Sequence, residues 1–285
     1  LEFSLLDGRA SVECRRTLGG GVESICGRGS CAYQGVETLL HFARTVAGLL
    51  VTSIFEHFER FHCFEKRLHK FVLKSLDADL ALCIAEKKTT NNMMYKKAKY
   101  IWKYKDSADY TAHFENAQIK LFGSKNINKR PDWKKMLKIK DFWLARIKGS
   151  SKIRSGTGAL LIYNRWVLLQ NIIKNNIIKK YDRFIITRSD FIWNIHHPNI
   201  SKLKSNYIWI PNGEKYGGYT DRHAVLSKEN IYDYLNLLEP ILKEPDTLFD
   251  LMKRKNNWNL ERYIKFYLNK KGYAKKVRFF PYIMY

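Results

Sequence analysis

A short apolar run that ends abruptly in charged residues constrains the fold of this chain most. Residues 181–193 read YDRFIITRSDFIW, so the apolar stretch 184–187 is followed at once by Arg188, Ser189 and Asp190. A run of this length that is rich in Ile and aromatic residues is typical of a buried strand. Ligands of open α/β sheets bind at the carboxyl ends of the strands. The sequence therefore predicts a functional carboxylate, Asp190, at the rim of a sheet.

The order of elements around this run predicts an α/β fold with a mixed, Rossmann-type sheet flanked by helices, in a single large domain of residues 45–285. Residues 47–55 and 78–85 are apolar and read as strands, and residues 58–73 between them have apolar positions at helical spacing. This strand–helix–strand order is typical of a parallel crossover. Further elements follow: a helix at 157–178, strands at 184–187 and 207–210, helices at 229–243, 247–255 and 260–271, and a strand at 277–284.

Two segments differ in composition from this pattern. The first 38 residues contain no Lys but seven of the 16 Gly and three of the five Cys. We interpret residues 1–44 as a poorly structured leader or extension, with an N-terminal arm packed on the domain as the alternative. Residues 86–152 are basic and rich in Trp and Tyr, without a sustained period. We expect an irregular insertion there.

The net charge of +24 favours anionic partners but does not specify one. A surface of this charge attracts polyanions, anionic lipid head groups and phosphate-bearing substrates. A compositional bias towards Lys, Asn and Ile gives the same charge without any partner. The lysines are spread along the chain rather than gathered in one block, which argues against a dedicated nucleic-acid site.

The cysteines and the apolar runs indicate a cytoplasmic protein. Five Cys without a CxxC pair do not form a disulfide framework in a chain of this length. Cys83 lies in an apolar run, where we expect a buried, reduced thiol. The apolar run 46–55 is too short to span a bilayer, which takes about 20 residues. The sequence has no P-loop, HExxH or GxSxG motif, so these classes of nucleotide hydrolase, zinc protease and serine hydrolase lose support.

A glycine-rich segment, NGEKYGGYTDRH at 212–223, is the second candidate site. Gly217 and Gly218 permit close approach of the backbone to a ligand. Asp221 and Glu214 are candidates for a general base that takes a proton from a hydroxyl. The alternative is a surface turn with solvated charges.

Two further groups read better as structural than as functional. The adjacent His196 and His197 project in different directions on most backbones and rarely bind one metal together. Asn259 and Glu261 suit the N-cap and the first turn of the helix that follows them.

The runs YDRFIITRSDFIW, HHPNI, IWIPNGEKYGGYTDRHAVLS and WNLERYIKFYLNKKG resemble a group of glycosyltransferases of polysaccharide and lipopolysaccharide synthesis, which large viruses and algae also carry. LLVTSIFEHFERFHCFEK, LDADLALCI and SGTGALLIYNRW resemble the opening elements and central helix of that group. The resemblance covers about residues 45–285.

The resemblance implies a GT-A-like fold and transfer from a nucleotide-sugar donor to a hydroxyl of a glycan or glycolipid. For such an enzyme we expect aromatic residues between 95 and 143 to stack on sugars of the acceptor. We also expect the basic surface to hold the protein at an anionic membrane. Asp190 stands at the position of the metal-binding DxD motif, for Mn²⁺ or Mg²⁺, and Arg188 replaces the first acid of that motif. Asp221 becomes the favoured base and Glu214 the second. The resemblance also implies donor-binding residues: Thr52, Arg60, Asp79, Arg165, Arg188, Gly217, Gly218 and Arg222.

Two other functions stay open. One is a basic nucleic-acid-binding protein without catalysis, which the charge and the aromatic residues permit. The other is a catalytically inactive, glycosyltransferase-like scaffold.

Overall fold

The strands of the chain form one mixed sheet. A computed structural model describes residues 38–43, 48–52, 65–86, 93–123, 129–149, 158–188 and 191–284. Within these residues the sheet has eight strands in the order β4-β3-β1-β2-β5-β7-β6-β8. Their bounds are β1 Thr38–Ala43, β2 Gly48–Thr52, β3 Ala78–Ala85, β4 Ala98–Tyr104, β5 Arg183–Arg188, β6 Ile208–Pro211, β7 His223–Ser227 and β8 Val277–Phe280.

Most of these strands run in one direction. β2 is parallel to β3 and β5, and β3 is parallel to β4. β1 is antiparallel to β2, β3 and β5, and β7 is antiparallel to β5 and β6. β6 is in turn parallel to β8. The carboxyl ends of β2, β3, β4, β5, β6 and β8 therefore lie at one edge of the sheet, which we call the carboxyl edge.

The helices are short except for one. Residues 65–76 are helical and include a π-helical segment, His69–Leu73. Short 3₁₀ helices occur at Trp133–Lys138, Phe142–Leu144 and Ile200–Lys202. The α-helices are α1 Lys74–Leu76, α2 Met93–Lys97, α3 Thr111–Phe122, α4 Gly158–Lys174, α5 Ile177–Lys180, α6 Ile231–Leu235, α7 Leu238–Lys243, α8 Pro245–Met252 and α9 Leu260–Lys270.

β5 is buried on both faces of the sheet. Phe184 and Ile186 pack into the larger apolar cluster, together with α4, while Ile185 packs into a second cluster with Trp193 and Val225. A strand whose alternate side chains are all buried has no polar face, which explains the unbroken apolar run in the sequence. The described residues belong to one compact unit, Tyr33–Tyr285.

The predicted α/β class is confirmed, and several predicted elements form where the sequence places them. β3 has the predicted bounds of 78–85, and β2 and β5 lie at the predicted strands 47–55 and 184–187. α4 followed by α5 occupies the predicted helix, and α9 ends before Gly272, whose φ of +82° is the left-handed conformation of a helix C-terminus. Cys83 is a buried thiol, as predicted.

The structure differs from expectation in residues 86–152. This segment contributes β4 to the sheet, and the large aromatic side chains of Tyr110, Phe114, Trp133 and Trp143 lie in the core. These four rings stabilise the fold and are not available to stack on a sugar, which corrects the role that the sequence suggested for them.

Two other findings concern the chain as a whole. β1 comprises the last residues of the segment interpreted as a leader, and residues 1–37 lie outside the described residues. Among the helices that the structure describes, none combines the length and the apolar character needed to cross a membrane.

Candidate functional site

The carboxyl edge brings Arg188, Asp221 and Arg222 together. β5 and β7 pair antiparallel with Thr187 opposite His223, so the end of β5 meets the residues that precede β7. The Arg188 amide donates to the carbonyl oxygen of Arg222 at 3.1 Å. The Arg188 side chain lies 2.9 Å from a carboxylate oxygen of Asp221, and the two side chains are only 14% and 3% exposed. This ion pair is largely shielded from water and fixes both side chains.

Arg165 of α4 supports Asp221 from inside the protein. Its Nη2 donates to the Asp221 carbonyl oxygen at 3.0 Å and to the Tyr234 hydroxyl at 3.4 Å. Its guanidinium group also lies 4.9 Å from the centre of the Tyr234 ring. Because Arg165 is 4% exposed, it is a positioning residue for Asp221 rather than the donor-binding residue that the sequence suggested.

Two cations at the edge share one aromatic ring. The guanidinium carbons of Arg188 and Arg222 lie 5.5 Å and 4.9 Å from the centre of the Phe191 ring, a cation–π geometry. Arg222 forms an ion pair with Glu214, and these side chains are 20% and 37% exposed. Arg222 is therefore more accessible than Arg188 to a ligand at the edge.

The glycine-rich loop docks on the N-terminus of α9. The Tyr219 amide donates to the Glu261 carbonyl oxygen at 3.0 Å. A Cβ atom at Gly218 would lie 1.9 Å from that same oxygen, so this contact requires glycine. Asn259 caps the helix by accepting from the Arg262 amide, and its own amide group donates to the Tyr216 carbonyl oxygen. The predicted cap role of Asn259 is thereby confirmed.

This docking brings Glu261 close enough to Asp221, Arg222 and Arg188 for their charges to act on its carboxyl group, and we call these four residues the acid–arginine cluster. The sequence had predicted only a helix-dipole role for Glu261. Burial raises the pKa of Glu261 to about 7, the negative charge of Asp221 adds to the rise, and Arg222 and Arg188 oppose it. A carboxyl group of this pKa exchanges protons near neutral pH. The one hint in the sequence was the Gly217–Gly218 pair, since adjacent glycines often mark a place where another backbone comes close.

Asp79 does not join this cluster. Thr38 of β1 lies opposite Cys83 of β3 and also opposite Arg188 of β5. Arg188 is therefore level with Cys83, which comes four residues after Asp79 on β3. Four strand residues span about 13 Å. Asp79 therefore lies towards the amino ends of the strands, where it pairs with Lys99 and accepts a 2.9 Å hydrogen bond from the Tyr181 hydroxyl. Its position does not suit the donor contact that the resemblance implied.

The remaining predicted residues divide into two groups. The backbone of Thr52 lies opposite Leu82, near the carboxyl edge at which the cluster also lies. Arg60 and Asp190 lie outside the described residues, although the neighbours of Asp190 in the chain, Arg188 and Phe191, both belong to the cluster.

The two adjacent histidines have different environments, as predicted. His196 is exposed and meets Phe71 edge-on. His197 is buried, and its Nε2 lies 3.2 Å from Nε2 of His223. Its Nδ1 lies 2.7 Å from the Pro198 carbonyl oxygen, so Nδ1 carries the proton and Nε2 accepts from His223.

The charges of the described residues at the edge largely compensate each other. The carboxylates of Asp221 and Glu214 are each paired with an arginine. Among the described residues no group of three or more His, Cys, Asp or Glu side chains could hold a metal ion. These residues therefore do not fit a divalent cation, and a metal role for Asp190 stays a prediction.

The chain matches no family model, no curated protein and no solved structure. The resemblance to polysaccharide glycosyltransferases therefore stays a prediction that depends on the sequence runs given above.

Proposed function

We propose that this protein is a nucleotide-sugar-dependent glycosyltransferase with a GT-A-like fold, which transfers a sugar to a hydroxyl group of a glycan or glycolipid. One observation supports it above the others: Arg188, Arg222 and Asp221 lie together at the carboxyl edge of a mixed α/β sheet, and their charges act on the carboxyl group of Glu261. This edge is where such sheets bind ligands, and guanidinium groups bind phosphate through charge-assisted hydrogen bonds.

The arginines serve the donor in this proposal. Arg222 is the more exposed of the two, so we assign it to the diphosphate of the nucleotide-sugar. Transfer breaks the bond between the anomeric carbon and a phosphate oxygen, and negative charge develops on the departing diphosphate. A fixed cation at that oxygen lowers the barrier because it needs no reorganisation during the reaction. Arg188, held by Asp221, adds positive charge to the same edge.

The proton of the acceptor hydroxyl needs a base, and Glu261 suits this role best. Asp221, favoured by the sequence, has its carboxylate directed at Arg188 and is 3% exposed. Glu214 is paired with Arg222 and stands second. Glu261 has a pKa of about 7, so at slightly alkaline pH its carboxylate accepts a proton readily. Asp221 then positions Arg188 rather than reacting.

The test is release of nucleoside diphosphate from a panel of UDP-, GDP- and dTDP-sugars, with and without Mn²⁺. We expect one donor to be hydrolysed by the wild-type protein. Glu261→Gln is expected to lower the rate by about 100-fold or more, because general base catalysis contributes that much. Asp190→Asn is expected to lower it as well. Glu239→Gln is the control, because Glu239 pairs with Lys243 on α7, away from the cluster.

Two outcomes would contradict the proposal. If no donor binds, measured by thermal shift of the wild-type protein, the nucleotide-sugar assignment is wrong. If a donor binds but is never hydrolysed or transferred, the inactive scaffold becomes the better account.

A further inference from the structure

A second concave surface lies beside the glycine-rich loop. A cavity of about 500 Å³ opens between α9 and the residues that precede it. We call it the basic groove and define it by six of its lining residues: Gly217, Lys255, Trp258, Arg262, Lys265 and Phe266.

The ionisable side chains that line the groove, among the described residues, are all cationic: Lys255, Arg262, Lys265 and Lys270. Lys270 pairs with Glu244 at 3.0 Å, which offsets its charge. Arg262 donates to the carbonyl oxygens of Tyr216 and Asn256 and has no carboxylate partner among the described residues. Lys255 and Lys265 likewise form no ion pair within the described part of the chain. Three uncompensated positive charges in one groove attract a ligand with several negative charges.

Aromatic rings and side-chain amides accompany these cations. Trp258 is buried and meets Phe266 edge-on, with ring centres 5.6 Å apart, and Phe266 is partly exposed. Asn256 and Asn269 add exposed amide groups to the lining. Amides donate to and accept from hydroxyl groups, and an aromatic ring offers an apolar surface to the ring of a sugar. This combination suits an acidic sugar better than a bare inorganic anion.

The groove adjoins the candidate site. Gly217 lines the groove, and its neighbour Gly218 contacts the Glu261 carbonyl oxygen. Glu261 and Arg262 are consecutive in the first turn of α9, one in the acid–arginine cluster and the other in the groove. A chain bound in the groove therefore has one end close to the carboxyl group assigned to deprotonate the acceptor.

We propose that the basic groove binds an acidic oligosaccharide, a chain whose sugars carry carboxylate or phosphate groups, and that this chain is the acceptor. The identification as acceptor rests on the proposed glycosyltransferase function. The binding of the acidic chain rests on the groove alone and is measured without a donor.

The experiment is a calorimetric titration of the wild-type protein with four hexamers. These are an oligogalacturonate, a phosphorylated oligosaccharide, a neutral maltohexaose and a single-stranded RNA. We expect one or both acidic sugars to bind and maltohexaose not to bind. The two acidic sugars distinguish carboxylate from phosphate as the recognised group.

A double variant that removes two positive charges from the basic groove tests whether the acidic chain binds there. Lys255→Gln combined with Lys265→Gln is expected to weaken binding of the acidic sugar about tenfold, since two exposed ion pairs with the ligand are lost. The matched control is Lys202→Gln combined with Lys204→Gln, which removes two exposed lysines outside the groove and is expected to leave the affinity unchanged.

Three results would overturn the inference: equal loss of affinity in the control variant, binding of maltohexaose as tight as that of the acidic chains, or tighter binding of the RNA. Donor hydrolysis by the wild-type protein separates the two proposals. Hydrolysis without binding of acidic chains contradicts only the groove inference. Binding of acidic chains without donor binding contradicts only the proposed function.

Discussion

Asp221 is the residue on which the geometry of the candidate site depends most. Its carboxylate pairs with Arg188, and its carbonyl oxygen accepts from Arg165. Both contacts are largely excluded from water, so the loss of either leaves a buried charge without compensation.

The first prediction concerns this ion pair. Asp221→Asn keeps the shape of the side chain but removes the charge opposite Arg188. We expect the free energy of unfolding in urea to fall by about 3 kcal/mol, because an unpaired charge then stays buried. Asp182→Asn is the control, since Asp182 and its partner Lys228 are 63% and 50% exposed. Its effect is expected to be at most about 1 kcal/mol. Equal losses in the two variants would contradict the prediction that burial makes the Arg188–Asp221 pair more important for stability than an exposed pair.

The histidine pair predicts how stability depends on pH. Burial lowers the pKa of His197 to about 4, and burial together with His197 lowers the pKa of His223 well below its usual value. In the unfolded chain both histidines titrate near 6.5. Between pH 6.5 and 4 the unfolded state therefore binds protons that the folded state does not. The free energy of unfolding is therefore expected to decrease as the pH is lowered through this range, by up to about 1.4 kcal/mol per pH unit for each histidine.

The measurement is urea unfolding between pH 7 and 4.5. The double variant His197→Gln and His223→Gln is expected to have a shallower slope, whatever its absolute stability, and the exposed His196→Gln the wild-type slope. Glu261 acts in the opposite sense, because its raised pKa of about 7 adds stability as the pH falls through that value. An unchanged slope in the double variant would contradict the assignment.

At the scale of elements, the contact between the glycine-rich loop and α9 assembles the site. Gly218 meets a backbone oxygen of α9, Asn259 caps the helix, and Arg262 reaches back to the loop at Tyr216. The loop carries Asp221 and Arg222, and the helix carries Glu261. The docking of one on the other therefore brings Glu261 near Asp221 and Arg222.

Gly218→Ala tests this docking. Its Cβ would lie 1.9 Å from the Glu261 carbonyl oxygen, so the loop and the helix must separate. We expect a loss of about 3 kcal/mol in the free energy of unfolding, the upper end for overpacking. Gly123→Ala is the comparison, because Gly123 has a φ of +79° but no atom near its missing side chain. That variant is expected to lose about 1 kcal/mol, the lower end of the cost of placing a side chain in a backbone region (φ +79°, ψ 152°) that glycine alone adopts readily. A smaller loss of unfolding free energy in Gly218→Ala than in Gly123→Ala would show that the loop and α9 are not in close contact.

The sequence predicted elements well where burial follows a period. β5 could be predicted because its alternate side chains pack into two different apolar clusters, which requires an unbroken apolar run in the sequence. α4 could be predicted because its apolar residues recur at helical spacing. β7 was missed, since HAVLS is only five residues long and follows directly on a charged, glycine-rich loop. Without β7, nothing in the sequence joins Arg188 to Asp221, which lie 33 positions apart. The position of Glu261 could not be predicted either, because only the tertiary contact between the glycine-rich loop and α9 brings it near Asp221.

At the scale of the whole molecule, cationic side chains lie at both candidate surfaces. The net charge of +24 is consistent with compositional bias, but the acid–arginine cluster and the basic groove concentrate cations at two adjoining places. The account assigns one to the diphosphate of a donor and the other to an acidic acceptor. Its central claim is that the carboxyl edge recognises a nucleoside diphosphate.

Calorimetric titration with UDP, GDP and dTDP tests this claim most directly. The account predicts that one of them binds the wild-type protein and binds Arg222→Gln about tenfold or more weakly, since a charge-assisted hydrogen bond to phosphate is lost. Arg278→Gln, a change in β8 away from the cluster, is expected to bind like the wild-type protein. Binding that is absent for all three nucleotides, or equal in Arg222→Gln and the wild-type protein, would contradict the account.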